Sequence, residues 1–422
     1  MSKQDETLRE VLSKRSLLID NMFNTQQIVE DYSLNDDDFK GTFLKNWTIS
    51  LVGNMDVLSL SRPDVIEQLH KRNLEAGADI ITTNTAMSQA VCQKKWGLDS
   101  QKYLDFLNRS SVRIARFEAG KVSKQTPDKP RFVIGSIGPT SKNLSKPEYS
   151  PDSWTADLTF DQLESAYMQQ MISLLEEGVD AIILDCIQDT LNVKAAISAF
   201  IKTKEIYHHI YERFNGPDYC PEIMFSAEID EKGLTRSGQT KAAFLNSVRH
   251  ANALFAGFNF REGKMYSLSK IEKVEEIHDD LLHLSNLEAL DIKKEDLKIG
   301  NLCDINTNRE FEVSIERNLD EDVLNLMRKQ VKEGANVLRI CLDLGWIDAK
   351  GEMCKLIRLV EADEELKKVP LMLASTNFKV INEALKVSQG HCLVERICLS
   401  EDEKECEAQK KTIERLGGEL FI

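Results

Sequence analysis

Paired cysteines are missing from this sequence. The nine present, at positions 92, 186, 220, 303, 341, 354, 392, 398 and 406, form no C-x-x-C, and their number is odd. Those at 186, 341, 392 and 398 sit inside apolar, strand-like runs. That placement suits reduced, buried thiols of the cytoplasm better than a disulfide framework or a metal cluster. A basic excess is also missing: 54 Lys and Arg face 69 Asp and Glu, a formal net charge of −15. Such a chain repels phosphate backbones and anionic lipid, which argues against nucleic-acid and membrane partners. No apolar run approaches the ~20 residues that span a bilayer. Met1 to Arg15 is charged and holds no apolar stretch of the kind a signal peptide needs. Neither G-x-x-x-x-G-K-[ST] nor G-x-G-x-x-G occurs, and the seven histidines show no H-E-x-x-H spacing.

What is present is alternation. Short apolar runs at 16–20, 78–85, 131–138, 180–187, 222–229, 253–260 and 281–287 read as strands, with amphipathic stretches between them. Segment 63–76 carries Val65, Leu69 and Leu74 at near-helical spacing behind Ser61 as a cap. Segment 160–178 repeats the theme and stops at Gly178. Strands apolar on both faces, alternating with helices, imply a parallel sheet wrapped in helices. Seven such units nearly complete an eight-stranded barrel. A second series places strands at 298–305, 336–343, 369–376, 392–399 and 418–422, with a helix over 320–332. The charged stretch 288–296 is the expected boundary, giving domains 1–296 and 297–422. Segment 298–303 could equally close the first barrel or open the second.

Several phrases, in order, carry a resemblance. They are Gly53-Asn54-Met55-Asp56 running on to Ser61-Arg62-Pro63-Asp64; Glu75-Ala76-Gly77-Ala78-Asp79; Thr83-Asn84-Thr85; Gly138-Pro139-Thr140; Ser237-Gly238-Gln239-Thr240; and Arg249-His250-Ala251. This ordered set resembles the homocysteine-binding barrel of cobalamin-dependent methionine synthase. Ile299-Gly300, Glu333-Gly334-Ala335, Val369-Pro370-Leu371, Ser375 and Asn377-Phe378 are similar to the start of that family's pterin-binding barrel. The resemblance implies an α/β fold: a TIM-barrel-like (β/α)8 homocysteine-binding domain, incomplete at seven strands, followed by a truncated half barrel of the pterin-binding kind.

It also implies chemistry that the residues here do not supply. The family holds zinc with one cysteine of a G-L-N-C phrase and two of G-G-C-C-G. Here the first phrase reads Gly257-Phe258-Asn259-Phe260, and no adjacent cysteine pair exists. Phenylalanine at 260 cannot ligate, and a zinc site needs three or four convergent donors. The family's glycine-rich D-G-A-M-G-T turn is Asp20-Asn21-Met22-Phe23-Asn24-Thr25, which puts side chains where backbone approaches ligand. By resemblance, Asp20, Asn84, Asp185 and the turn Gly138, Pro139, Thr140 remain as a vestigial amino-acid site. On the pterin side, Asp343 and Asn377 match, while Arg339-Ile340-Cys341, Ala374 and Glu395 replace the family's polar readers.

The expectation is therefore a degenerate homologue, impaired in methyl transfer, that acts as a binding or regulatory pseudoenzyme. The alternative is an active homocysteine or thiol methyltransferase subunit of methionine biosynthesis, completed by a partner chain. None of the family's zinc, cobalamin and methyltetrahydrofolate is expected to be held. The expected partners are a small amino-acid ligand and a second copy or another protein.

Overall fold

The computed structural model describes residues 6–20, 25–145, 158–215, 220–258, 268–271 and 280–421. The substituted first turn, Asn21 to Asn24, and Phe260 lie outside the described residues.

Six parallel strands follow the sequence expectation: β1 (Leu17–Asp20), β2 (Ile80–Thr82), β3 (Phe132–Ile137), β4 (Ala181–Ile187), β5 (Glu222–Ala227) and β6 (Phe255–Phe258). With β7 (Leu268–Ile271) they form a curled sheet in the order β6-β5-β4-β3-β2-β1-β7. Leu17, Ile19, Ile80, Phe132, Ile134, Ala181, Ile183 and Met224 line its inner face, together with Leu8, Val11 and Leu12 of the opening helix Leu8–Lys14. That helix is fixed by a capping box between Thr7 and Glu10. Bidentate pairing of Arg9 with Glu222 (2.5 and 2.7 Å) adds a second anchor. The alternate residues Ile81, Val133, Ile182, Leu184, Ile223 and Phe225 face the outer helices. Burial on both faces explains why these strands read as unbroken apolar runs.

The seventh strand is not where the sequence placed it. Segment 281–287 does not join this sheet. Leu281–Ser285 (β8) pairs antiparallel with Ala289–Lys293 (β9) in a separate hairpin. The charged stretch read as a boundary is thus half strand, its charges borne on the hairpin's exposed face. The seventh position is taken by β7, antiparallel to β1 with Leu17 opposite Ile271.

The second sheet runs β10 (Ile299–Asp304), β11 (Val337–Cys341), β12 (Leu371–Ala374), β13 (Cys392–Glu395) and β14 (Gly418–Phe421), all parallel and in sequence order. Segment 298–303 therefore opens the second series, because Ile299 pairs with Val337. Its helix-facing residues, Leu338, Ile340, Leu371, Leu373 and Val394, merge with the outer core of the first sheet into one continuous cluster. The concave face is covered from within: Leu284 of the β8–β9 hairpin packs on Val337, Met372 and Leu393. The chain is thus α/β and TIM-barrel-like, with two curled sheets.

Helix boundaries follow local chemistry. Phe160–Glu176 starts at a Thr159–Gln162 capping box, and Gly178 follows it at φ +86°. Asp320–Lys332 carries Asp320, Glu321 and Asp322 in its first turn. Ser61 does not cap Pro63–Glu75. It ends the preceding turn, Leu58–Ser61, and Arg62 takes the cap position without a side-chain cap bond. Proline at the first helical position needs no N–H partner, so the helix starts there regardless.

Candidate functional site

The C-terminal ends of β3 and β4 meet over a small cleft. Gly138, Pro139, Asp185, Asp189 and Asn192 line it, with Tyr167 behind. Its enclosed space is about 20 Å³, room for about one water, within a cleft of about 300 Å³ counting the open mouth. Asp185 reaches it because β4 bulges there: pairing with β5 shifts register between Leu184 and Ile187, and Cys186 adopts φ +52°. The Cys186 amide donates to Asp185 Oδ1 at 3.0 Å, and its thiol is half-buried. Gly138 is needed for approach: a Cβ there would lie 2.9 Å from the Ala86 carbonyl oxygen. Thr140 sits just beside the cleft, donating to Lys142 O and accepting from Asn192 Nδ2 at 2.9 Å.

Four of the expected residues, Asp185, Gly138, Pro139 and Thr140, are thus brought together. Asp20 and Asn84 are engaged elsewhere. Asp20 is fully buried and accepts from Thr82 N (3.1 Å), Thr82 Oγ1 (2.8 Å) and Asn73 Nδ2 (3.2 Å). Asn84 Nδ2 donates to Met55 O and Ser59 Oγ, tying the loop after β2 to the 53–61 segment. The same network joins Asn54 to Gln93 and Asp56 to Ser88 and the Met87 amide. Burial pushes the Asp56 carboxyl up to about 7. The phrases that carry the resemblance are largely this scaffold of buried amides and hydroxyls.

Asp189 and Asn192 were missed. Asp189 accepts from Leu191 N (2.8 Å), capping the helix Thr190–Asn215, and from Ser145 N and Oγ. Burial raises its carboxyl above the usual range. The signal was there: an Asp-Thr pair directly after a strand is a helix start.

At the second mouth, Asp343 accepts from Ser375 Oγ (2.5 Å) and Thr376 Oγ1 (2.8 Å), closing the turn after β12. Asn377 caps the helix Phe378–Leu385 through Lys379 N at 3.1 Å. Arg339 donates to Asp304 Oδ2 (2.6 Å) and twice to Glu395 Oε2 (3.0 and 2.8 Å). Arg339, Asp304 and Glu395 are thereby spent on one another. Trp346 stands 68% exposed in the loop after β11.

Zinc, which the family fold implies, meets no donor set among the described residues: no three His, Cys, Asp or Glu side chains are disposed to hold a metal. Cys186 is a single thiol at the first mouth, and Cys92 is buried behind Pro139, Sγ to O 3.9 Å.

The family of homocysteine S-methyltransferases matches residues 25–323, well over half the sequence. The chain belongs to the homocysteine S-methyltransferase family. A second match, to pterin binding enzymes, covers residues 302–414 and overlaps the first over 302–323, from the end of β10 through the helix Arg309–Glu316. Similar solved structures include the homocysteine methyltransferase MmuM from Escherichia coli in three forms. The apo form is 16% identical over 60% of this chain and 75% of that one, TM-score 0.41. The oxidized form is 14% identical over 60% and 94%, TM-score 0.38, and the metallated form 14% over 92% and 93%, TM-score 0.39. Homocysteine S-methyltransferase membership agrees with the sheet order and with the position of the cleft at strand C-terminal ends, where such barrels bind.

Proposed function

We propose that the chain is a homocysteine S-methyltransferase homologue, with the motif order of cobalamin-dependent methionine synthase, that has lost zinc-dependent methyl transfer and acts by binding. One observation carries this reading: Phe260 stands where the resemblance asks for a cysteine, and the sequence has no adjacent cysteine pair. Zinc activates a thiol by holding it as the thiolate; without it the thiol keeps a reference pKa near 8.5 and is mostly protonated at neutral pH. The engagement of Asp20, Asn84 and Arg339 in internal bonds supports the same reading. The ligand class the resemblance implies is a small amino acid, which the cleft could meet only at its open mouth, its ammonium toward Asp185. Eight free thiols among the described residues support a reducing, cytoplasmic setting. No described helix is long and apolar enough to cross a membrane.

The test is methyl transfer to homocysteine from methylcobalamin or methyltetrahydrofolate. The purified chain is expected to match a no-protein control. Turnover above that control, abolished by Asp185→Asn, would overturn the reading. A second reading, an active thiol methyltransferase completed by a partner chain, draws on the half-buried Cys186 thiol beside Asp185. It requires turnover to appear only when the partner is added.

A further inference from the structure

The two sheets meet along a seam built from titratable groups. Lys194, at the start of the second turn of the helix Thr190–Asn215, is fully buried. Its ammonium crosses to the second sheet and donates to Ser388 O (2.7 Å) and Gly390 O (2.9 Å), carbonyls rather than carboxylates. Gly390 lies so close to the β8–β9 hairpin that a Cβ on it would be 1.8 Å from Ser285 O. Next to it, His391 O accepts from Ser285 N (3.0 Å), His391 N donates to Ser285 Oγ (2.9 Å), and His391 Nδ1 is 2.7 Å from His283 O. His250 closes the other side, both of its ring nitrogens sealed from solvent. A Cβ on Gly417 would touch Lys194 Cε at 3.0 Å and His250 Cε1 at 3.1 Å, so lysine and histidine flank one point.

We propose that this seam is an acid-sensitive latch, holding the two sheets together while His250 and His391 are neutral and opening when they take protons beside Lys194. The groups facing these three come from every packed element. Glu361 and Cys392 face Lys194. His391 and Lys194 face His250. Lys194, Arg249 and His283 face His391, and Glu419 Oε2 lies 4.0 Å from its Nε2.

The sign follows from burial. Burial pushes His250 down to about 3 and His391 to about 4 from an ordinary 6.5, with the Lys194 charge acting in the same direction. Their neutral forms hold the seam closed above about 6.5, and that hold is lost as pH falls toward those values. Glu361 acts oppositely: burial raises it from 4.5 to about 7, so its contribution is present at low pH and is lost as pH rises through 7. Burial raises the Glu419 carboxyl, while His283 and Arg249 pull it down; standing 4.0 Å from His391 Nε2, it acts with Glu361 against opening. From about pH 7.5 to about pH 5 the two histidines favour opening as the pH falls and Glu361 opposes it.

Cys392, 1% exposed at the seam, reports opening. Cys92 (2%) in the first unit and Cys303 (0%) in the second report unfolding of each. The experiment labels the full chain with 4,4′-dithiodipyridine, which reacts with thiols in acid, and reads each cysteine by peptide mass spectrometry. Labelling of Cys392 relative to Cys92 and Cys303 is expected to rise severalfold between about pH 7.5 and about pH 5. Glu361→Gln, which removes one opposing group, should steepen the rise. His391→Gln should flatten it, and with His250→Gln abolish it. An unchanged ratio, three cysteines rising together, or a rise that survives the double histidine variant would overturn the latch. Should the double variant fail to fold, the opposite responses of Glu361→Gln and His391→Gln decide alone.

Discussion

At the scale of single residues, side chains that a motif marks as binding groups can be consumed by the fold. Asp20 holds Thr82 and Asn73 across two elements. Its replacement by alanine strands three buried donors, and we expect Asp20→Ala to cost about 3 kcal/mol in denaturant unfolding. A change under ~0.5 kcal/mol would show that those donors find water and that Asp20 is free for a ligand. In the second unit Arg339, which replaces one of the resembled family's pterin readers, is likewise held by the fold. Its ion pairs are 13–27% exposed, sheltered enough that removing the cation leaves two carboxylates uncompensated. Arg339→Leu should cost about 3 kcal/mol by thermal unfolding. The identity of Asp20, Asn84 and Arg339 was legible in the sequence, but their employment was not. Hydrogen-bond partners 25 to 62 residues away leave no trace in local pattern.

At the scale of elements, the six strands of the first series and the five of the second were legible because burial on both faces writes unbroken apolar runs. The hairpin was not, since β8 carries the same apolar run as a barrel strand and β9 alternates charge with apolar residues. Only the antiparallel pairing separates the two cases. The short β7 lies in a polar stretch that shows no strand period. The hairpin's role yields a sharp expectation. Because its Ser285 carbonyl abuts Gly390, Gly390→Ala must push the hairpin off the second sheet. We expect a loss of about 3 kcal/mol in thermal stability. A wild-type melting temperature in that variant would mean the close approach is relaxed without consequence.

At the scale of the whole molecule, one apolar core runs from the helices of the first sheet through those of the second. Two stretches matching separate families are thereby packed as a single body, joined at Lys194 and His391. What the sequence could state about the whole was chemical rather than geometric: charge, cysteine spacing and the phenylalanine at 260. These carry the proposed reading, because zinc binding needs several soft ligands converging at one point. The most direct measurement is therefore elemental analysis of the purified chain after dialysis against a weak chelator. The account predicts zinc far below one equivalent per chain, unchanged by substituting Cys186. About one tightly held zinc per chain would contradict it.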